Sequence, residues 1–341
     1  MASIASLPAE ILSPILRLAV ETGPTTAGAC AAVSHQWQQH VERQTFTSLT
    51  LNAWRAVQAK DILTPARQSR VRHICMEAHL PFYNPFIWQN KWEERRQNNG
   101  AFTLAIRTLF YCLSHWEPAA IGTGQRGVTL ELCAFSPTDT RADLRAPKWM
   151  RRWTNSYLTL TRGSEDDLPD LNMITKFVGR TFEFYNGSNP HHRRYYHRQI
   201  EARVFGVMAA KMTSLEEVDW DLVDYEKLDM PFRQRMRKRF AASLASLPQS
   251  LRYFRLWYPH QGPRNHDAQP HRAYDDRVES DPLSIALRRI SQQCITFILD
   301  WDIVFDINLF WPQQPSSPDE TLYWPRLRLF MHGVSVRDLA I

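Results

Sequence analysis

No two cysteines stand in a C-x-x-C spacing, and the total of five (Cys30, Cys75, Cys112, Cys133, Cys294) is odd. That combination excludes a disulfide frame and a zinc ribbon, and leaves free thiols of a reducing compartment. Met1-Ala2-Ser3-Ile4 lacks the basic start and long apolar core of a secretory signal. No apolar run reaches the length of a membrane span, so no membrane partner is expected. Charge of one sign is scarce as well: 41 basic residues against 35 acidic ones leave +6. That surplus lacks the concentrated basic footprint of a nucleic-acid binder, and nucleic acid is not expected as a partner. These absences imply a protein of the cytoplasm, the nucleus or both.

Motifs of catalysis are missing too. No G-x-S-x-G, H-E-x-x-H or kinase set occurs. The loop from Gly122 to Gly127 lacks the Lys-Ser/Thr end of a phosphate loop, and a strand-like run at 128–132 follows where a helix should start. His191, His192 and His197, like His260, His266 and His271, have neither ligand spacing nor a nearby Cys or carboxylate to complete a metal site. They read as basic loops. Asp166-Asp167 and Asp275-Asp276 read as solvated loop acids. Neither cofactor, metal nor catalytic residue is expected, and the chain reads as a non-enzyme.

What is plentiful is apolar and aromatic: 44% hydrophobic residues, with 12 Trp, 11 Tyr and 17 Phe. In the first fifty residues, Leu7-Pro8-Ala9-Glu10 opens a helix, with Pro8 suited to its start and Glu10 to the positive end of its dipole. Ile11, Leu12, Ile15, Leu16 and Ala19 follow at helical spacing. Pro14 should kink that helix or start a second one after Ser13. A short helix through Ala29–Val33 and a third ending at Phe46 complete the module. Three helices in so few residues bury little surface alone, so the module needs a partner or an attached domain.

Leu7-Pro8-x-Glu10-Ile11-Leu12-x-x-Ile15-Leu16, then Cys30-Ala31-Ala32-Val33-Ser34-x-x-Trp37, then Thr45-Phe46-x-x-Leu49, resembles an F-box, closest to the F-box proteins abundant in filamentous fungi. Ser136-Pro137-x-Asp139 and Phe310-Trp311-Pro312 also resemble that group. The resemblance implies an F-box over residues 1–46 that docks on a Skp-type adaptor and through it on a cullin, as part of a ubiquitin ligase. Leu7, Pro8, Ile11, Leu12, Ile15, Leu16, Val33 and Trp37 would be the adaptor-binding residues, with some also packing the three-helix core. The remaining chain, 47–341, would capture a target protein. Chains of the family often continue past the point of Ile341, so a truncated or divergent end is expected.

After residue 46 a phrase recurs with large apolar residues at its first, fourth and sixth positions. It reads Phe46-x-x-Leu49-x-Leu51, Val71-x-x-Ile74-x-Met76, Leu215-x-x-Val218-x-Trp220, Leu251-x-x-Phe254-x-Leu256, Cys294-x-x-Phe297-x-Leu299 and Trp324-x-x-Leu327-x-Leu329. This is the strand phrase of leucine-rich repeats, whose regular forms recur about every 20–29 residues. Here the spacing is longer and uneven, so the units carry insertions. Further strand-like runs fall at 128–132 and 182–185. Helical stretches at 53–63, 102–116, 199–212, 232–247 and 282–291 alternate with the strands, which predicts an α/β fold with a parallel sheet: an irregular leucine-rich-repeat-like solenoid behind the F-box. An ordinary α/β domain remains the alternative. Exposed loops are expected at 83–96, 137–147, 186–194, 259–281 and 312–320. The cluster from Arg233 to Arg239 reads as the solvent side of a helix whose apolar stripe is Phe232, Met236 and Phe240.

Alternation along the strands points Asp219, Asp221, Arg255, Trp257 and Asp300 away from the core. They are the candidate target-binding residues, with Trp257 the leading anchor; its alternative role is packing beneath the 259–281 loop. A scaffold with a diverged F-box and no ligase role, and an enzyme with an unfamiliar site among the histidine loops, are the competing functions.

Overall fold

The computed structural model describes residues 8–83, 91–116, 127–140, 156–180, 198–222, 224, 230–259, 281–300, 303, 305–311 and 323–333. It is a mixed α/β structure built on an eight-stranded sheet in which every strand is parallel and pairs only with its neighbours in sequence. The strands are β1 (Ser48–Leu51), β2 (His73–His79), β3 (Val128–Phe135), β4 (Ile174–Arg180), β5 (Glu217–Asp221), β6 (Tyr253–Trp257), β7 (Thr296–Leu299) and β8 (Leu329–His332). Nine α-helices are present among the described residues. Three precede the sheet: α1 (Ala9–Glu21), α2 (Pro24–Ala31) and α3 (His35–Thr45). The others lie between strands: α4 (Ala53–Ile62), α5 (Pro65–Gln68), α6 (Lys91–Ser114), α7 (Ala202–Ala210), α8 (Met230–Leu244) and α9 (Pro282–Gln293).

The recurring apolar phrase explains the sheet's buried face. Register aligns Leu49, Ile74, Leu130, Phe177, Val218, Phe254, Phe297 and Phe330 as one row across all eight strands. Most of that row is fully buried under the helices. Neighbouring rings stack along it, Phe254 on Phe297 at 5.4 Å and Phe297 on Phe330 at 5.9 Å between centroids. Trp220, in the next row, is fully buried and touches Phe177, Phe205, Phe240 and Phe254.

Five of the six phrases lie on strands in the expected frame. The sixth is displaced by three residues: β8 pairs Phe297 with Phe330 and Leu299 with His332, so its phrase begins at Leu327. Trp324 instead donates its indole N–H to Ser291 Oγ at 2.8 Å. The run at 128–132 is part of β3. The run at 182–185 lies outside the described residues, and the strand paired to β3 is Ile174–Arg180. Its phrase is obscured because Gly179 takes the sixth position. A Cβ there would come within 2.5 Å of the Phe205 ring and 3.1 Å of Trp220, so the bulk of the layer is supplied by those neighbours.

Two local expectations are corrected. Pro14 starts no second helix after Ser13: α1 runs through it, with the proline on an exposed side. Residues 91–96 are helix, not loop, forming the start of α6. Glu93 and Glu94 in its first turn suit the helix N-terminus, and Arg and Glu are good helix formers. No helix among the described residues is long and apolar enough to cross a membrane.

Candidate interaction surfaces

The N-terminal helices form a small bundle with a thin core. Leu12 and Leu16 of α1 are 1% and 0% exposed, joined inside by Ala27 and Val41. One residue round the same helix, Ile11, Ile15 and Leu18 follow the i, i+4, i+7 spacing and are 52%, 46% and 65% exposed, with Val33 beyond α2 at 60%. α1 therefore carries two apolar faces, one inward and one bare. Of the residues expected to meet an adaptor, Pro8, Ile11, Ile15 and Val33 are exposed; Leu12 and Leu16 are the ones that pack the bundle core. Trp37 is half-buried, and its backbone N–H is capped by Ser34 Oγ at the start of α3. Leu7 lies outside the described residues.

The bundle is fixed to the sheet by charge as well as packing. Glu42 of α3 accepts hydrogen bonds from Arg67 and Arg70, each at 2.7 Å, and Arg67 also lies over the Phe46 ring at 4.9 Å. The Arg67 hydrogen bond is the main cause of a Glu42 carboxyl held below its ordinary value, against the opposing effect of burial.

The second surface is the face of the sheet turned away from the apolar row. Register places Cys75, Glu131, Val178, Asp219, Arg255 and Ile298 side by side there, and pairs Asp221 with Trp257 in the following row. Alternation assigned Asp219, Asp221, Arg255, Trp257 and Asp300 to this face correctly. Their exposure is corrected: Asp221 and Asp300 are 3% and 2% exposed, while Asp219, Arg255 and Trp257 are half-buried. The charged members hold one another. Arg180 of β4, which sequence reasoning missed because its strand was missed, grips Asp219 at 2.7 and 3.3 Å and Asp221 at 2.9 Å. Arg255 bridges Asp219 at 2.6 Å, Asp221 at 3.1 Å and Asp300 at 2.5 Å.

Burial pushes the Asp219 and Asp300 carboxyls up, but to different ends. At Asp219 the hydrogen bonds and charges of Arg180 and Arg255 outweigh burial, and the carboxyl sits below its usual value. At Asp300 only Arg255 opposes burial, one carboxylate oxygen is buried without a hydrogen bond, and the carboxyl sits above its usual value. Removing paired charges from water costs several kcal/mol each. Such a ladder fixes side-chain geometry more than it adds stability.

The basic cluster of α8 is corrected in part. Met236 and Phe240 are buried and Arg235 and Arg239 exposed, as the helical pattern requires. Arg233 and Arg237 are buried instead, paired with Asp224 at 2.5 Å and with Asp281 at 2.6 Å. Asp281 also caps α9 by accepting from Ser284 N at 3.0 Å. The Asp281-Pro282 pair was a visible helix-start signal; its arginine partner was not. Asp166 and Asp167 are exposed as expected. All six singled-out histidines, from His191 to His271, and Asp275-Asp276 lie outside the described residues. Among the described residues, no group of three His, Cys, Asp or Glu is placed to hold a metal ion. The chain matches no family model, no curated protein and no solved structure.

Proposed function

We propose that the chain is a substrate receptor of a cullin–RING ubiquitin ligase: an F-box over residues 1–46 followed by a leucine-rich-repeat-like solenoid. The observation that carries this reading is the bare stripe of Ile11, Ile15 and Leu18, with Val33, on a bundle whose inner face is already filled by Leu12 and Leu16. A helix with a spare apolar face is what helix-in-groove docking uses. A Skp-type adaptor is the partner for that face. The sequential parallel order of the sheet supports the solenoid, since stacked units touch only their neighbours. The target meets the opposite, polar face, where the Arg180–Asp219–Arg255–Asp300 ladder holds its charges in fixed positions beside Trp257. Such a receptor performs no bond chemistry; it supplies proximity and orientation. For that the bundle must be rigidly seated, and Glu42, Arg67, Arg70 and Phe46 seat it. The setting is the cytoplasm or nucleus.

The test is co-purification of the Skp-type adaptor with the parent and with the double variant Ile11→Asp, Ile15→Asp. Burying two unpaired carboxylates in an apolar contact costs several kcal/mol, so adaptor recovery should vanish. Equal recovery from both chains would refute the F-box reading. Both changes fall on solvent-exposed positions, so the variant keeps its fold.

A further inference from the structure

The helical layer carries a charged groove that neither surface above uses. It has a volume of about 630 Å³ and is walled by Arg95 and Arg96 of α6, Arg162, Arg203 of α7 and Arg239 of α8, with Glu165 as the one acidic lining residue among the described residues. Five arginines against one glutamate leave a surplus of four positive charges on this lining, in a chain whose total is +6.

The groove is built, not incidental. Its floor, the extended stretch from Leu158 to Thr161, is pinned to α6: Asn99 Oδ1 accepts from Thr159 N at 3.1 Å and Thr103 Oγ1 from Thr161 N at 2.9 Å. A turn then closes, with Ser164 N and Oγ donating to Thr161 O at 3.1 and 2.6 Å. Gly163 adopts φ +82° in that turn, a left-handed conformation that glycine takes without strain. This turn displays Arg162. Three arginines are already partnered: Arg96 with Glu93, Arg203 with Glu165 and Arg239 with Glu201. Among the described residues, Arg95 and Arg162 make no hydrogen bond or ion pair, and Arg95 lies over the Phe232 ring at 6.0 Å. At the mouth, Trp92 is 71% exposed with Arg96 over its ring at 5.4 Å.

We propose that this groove binds an acidic segment of a partner protein, its carboxylates engaged by Arg95 and Arg162 and an adjoining apolar side chain resting on Trp92. Two open guanidinium forks on one groove lining match carboxylates in geometry as well as sign. A nucleic acid fits less well: a phosphate backbone needs a continuous positive track, and Glu93, Glu165 and Glu201 interrupt this one. The inference is independent of adaptor docking.

The experiment titrates the 341-residue chain with a fluorescent, glutamate-rich peptide, followed by anisotropy, beside an oligonucleotide single strand of similar length. The peptide should bind better than the oligonucleotide, and raised salt should weaken it. Arg95→Glu with Arg162→Glu should weaken peptide binding at least about tenfold. Arg326→Glu with Arg328→Glu makes the same net-charge change at exposed sites elsewhere and should leave it nearly unchanged. Equal loss in both double variants, no loss in the first, or preference for the oligonucleotide would each overturn the proposal. An unchanged melting temperature in the first double variant shows that the loss is one of binding and not of fold.

Discussion

The N-terminal bundle and the sheet use apolar residues in opposite ways. The bundle buries Leu12, Leu16, Ala27 and Val41 and leaves Ile11, Ile15, Leu18 and Val33 in solvent. The sheet buries an aromatic row under its helices and turns a charged ladder to the other side. At roughly 25 cal/mol per Å² of apolar surface removed from water, a core of two leucines, a valine and an alanine is a slight one. The bundle gains further stability by leaning on the sheet through Phe46 and Glu42. The sheet supplies the stiffness and the bundle the spare apolar face. That open face is the one the proposed adaptor would cover.

Deleting the centre of the sheet tests the comparison most severely. Trp220→Ala removes a fully buried side chain among four aromatic rings. It should cost about 3–5 kcal/mol, read as a lower midpoint in urea unfolding. A loss under about 1 kcal/mol would mean that the sheet's core is no firmer than that of the bundle.

Acid titration separates two carboxylates, one at the junction and one in the sheet, by sign. Glu42, at the junction, has a lowered carboxyl, so its contribution is present above its ordinary value of 4.5 and is lost as pH falls through the lower folded value. Asp300, in the sheet, has a raised carboxyl, so its contribution is present below its ordinary value of 3.8 and is lost as pH rises through the higher folded value. Relative to the parent, Glu42→Gln should flatten the fall in melting temperature below pH 4.5, and Asp300→Asn should remove a decline above pH 3.8. Calorimetry from acid to neutral pH checks both. Shifts of the same sign would break the distinction between a twice-paired and a singly paired carboxylate.

The smallest expected effect is on the bare stripe. Ile11→Asp with Ile15→Asp should change the stability of the free chain by only about 0.5 kcal/mol per site, because neither side chain packs inside. A loss of several kcal/mol in thermal melting would move these residues into a core and leave the bundle without its open face.

Strands were legible in the sequence where large apolar residues repeat the phrase, as at Val218-x-Trp220 and Phe254-x-Leu256. They faded where neighbours fill the space, as Phe205 and Trp220 do at Gly179, and where His332 occupies an apolar slot. Alternation named the face of Asp219, Arg255 and Asp300 but not their pairing, since pairing depends on register between strands far apart in sequence. The exposure of Ile11 against the burial of Leu12 was likewise hidden: helical spacing placed both on one broad apolar side, and only the packing of α2 and α3 divides it. The five arginines of the groove come from four separate segments, so no window of sequence displays them together.

One consequence follows from the order of the strands. Each new strand pairs with the one made just before it, so a chain emerging from the ribosome never has to wait for a distant partner to be synthesised. The bundle comes first, β1 adds to it, and each later crossover lays its strand on an edge that already exists. Each pairing closes only the crossover between consecutive strands, which limits the time that any open edge spends exposed to neighbouring chains.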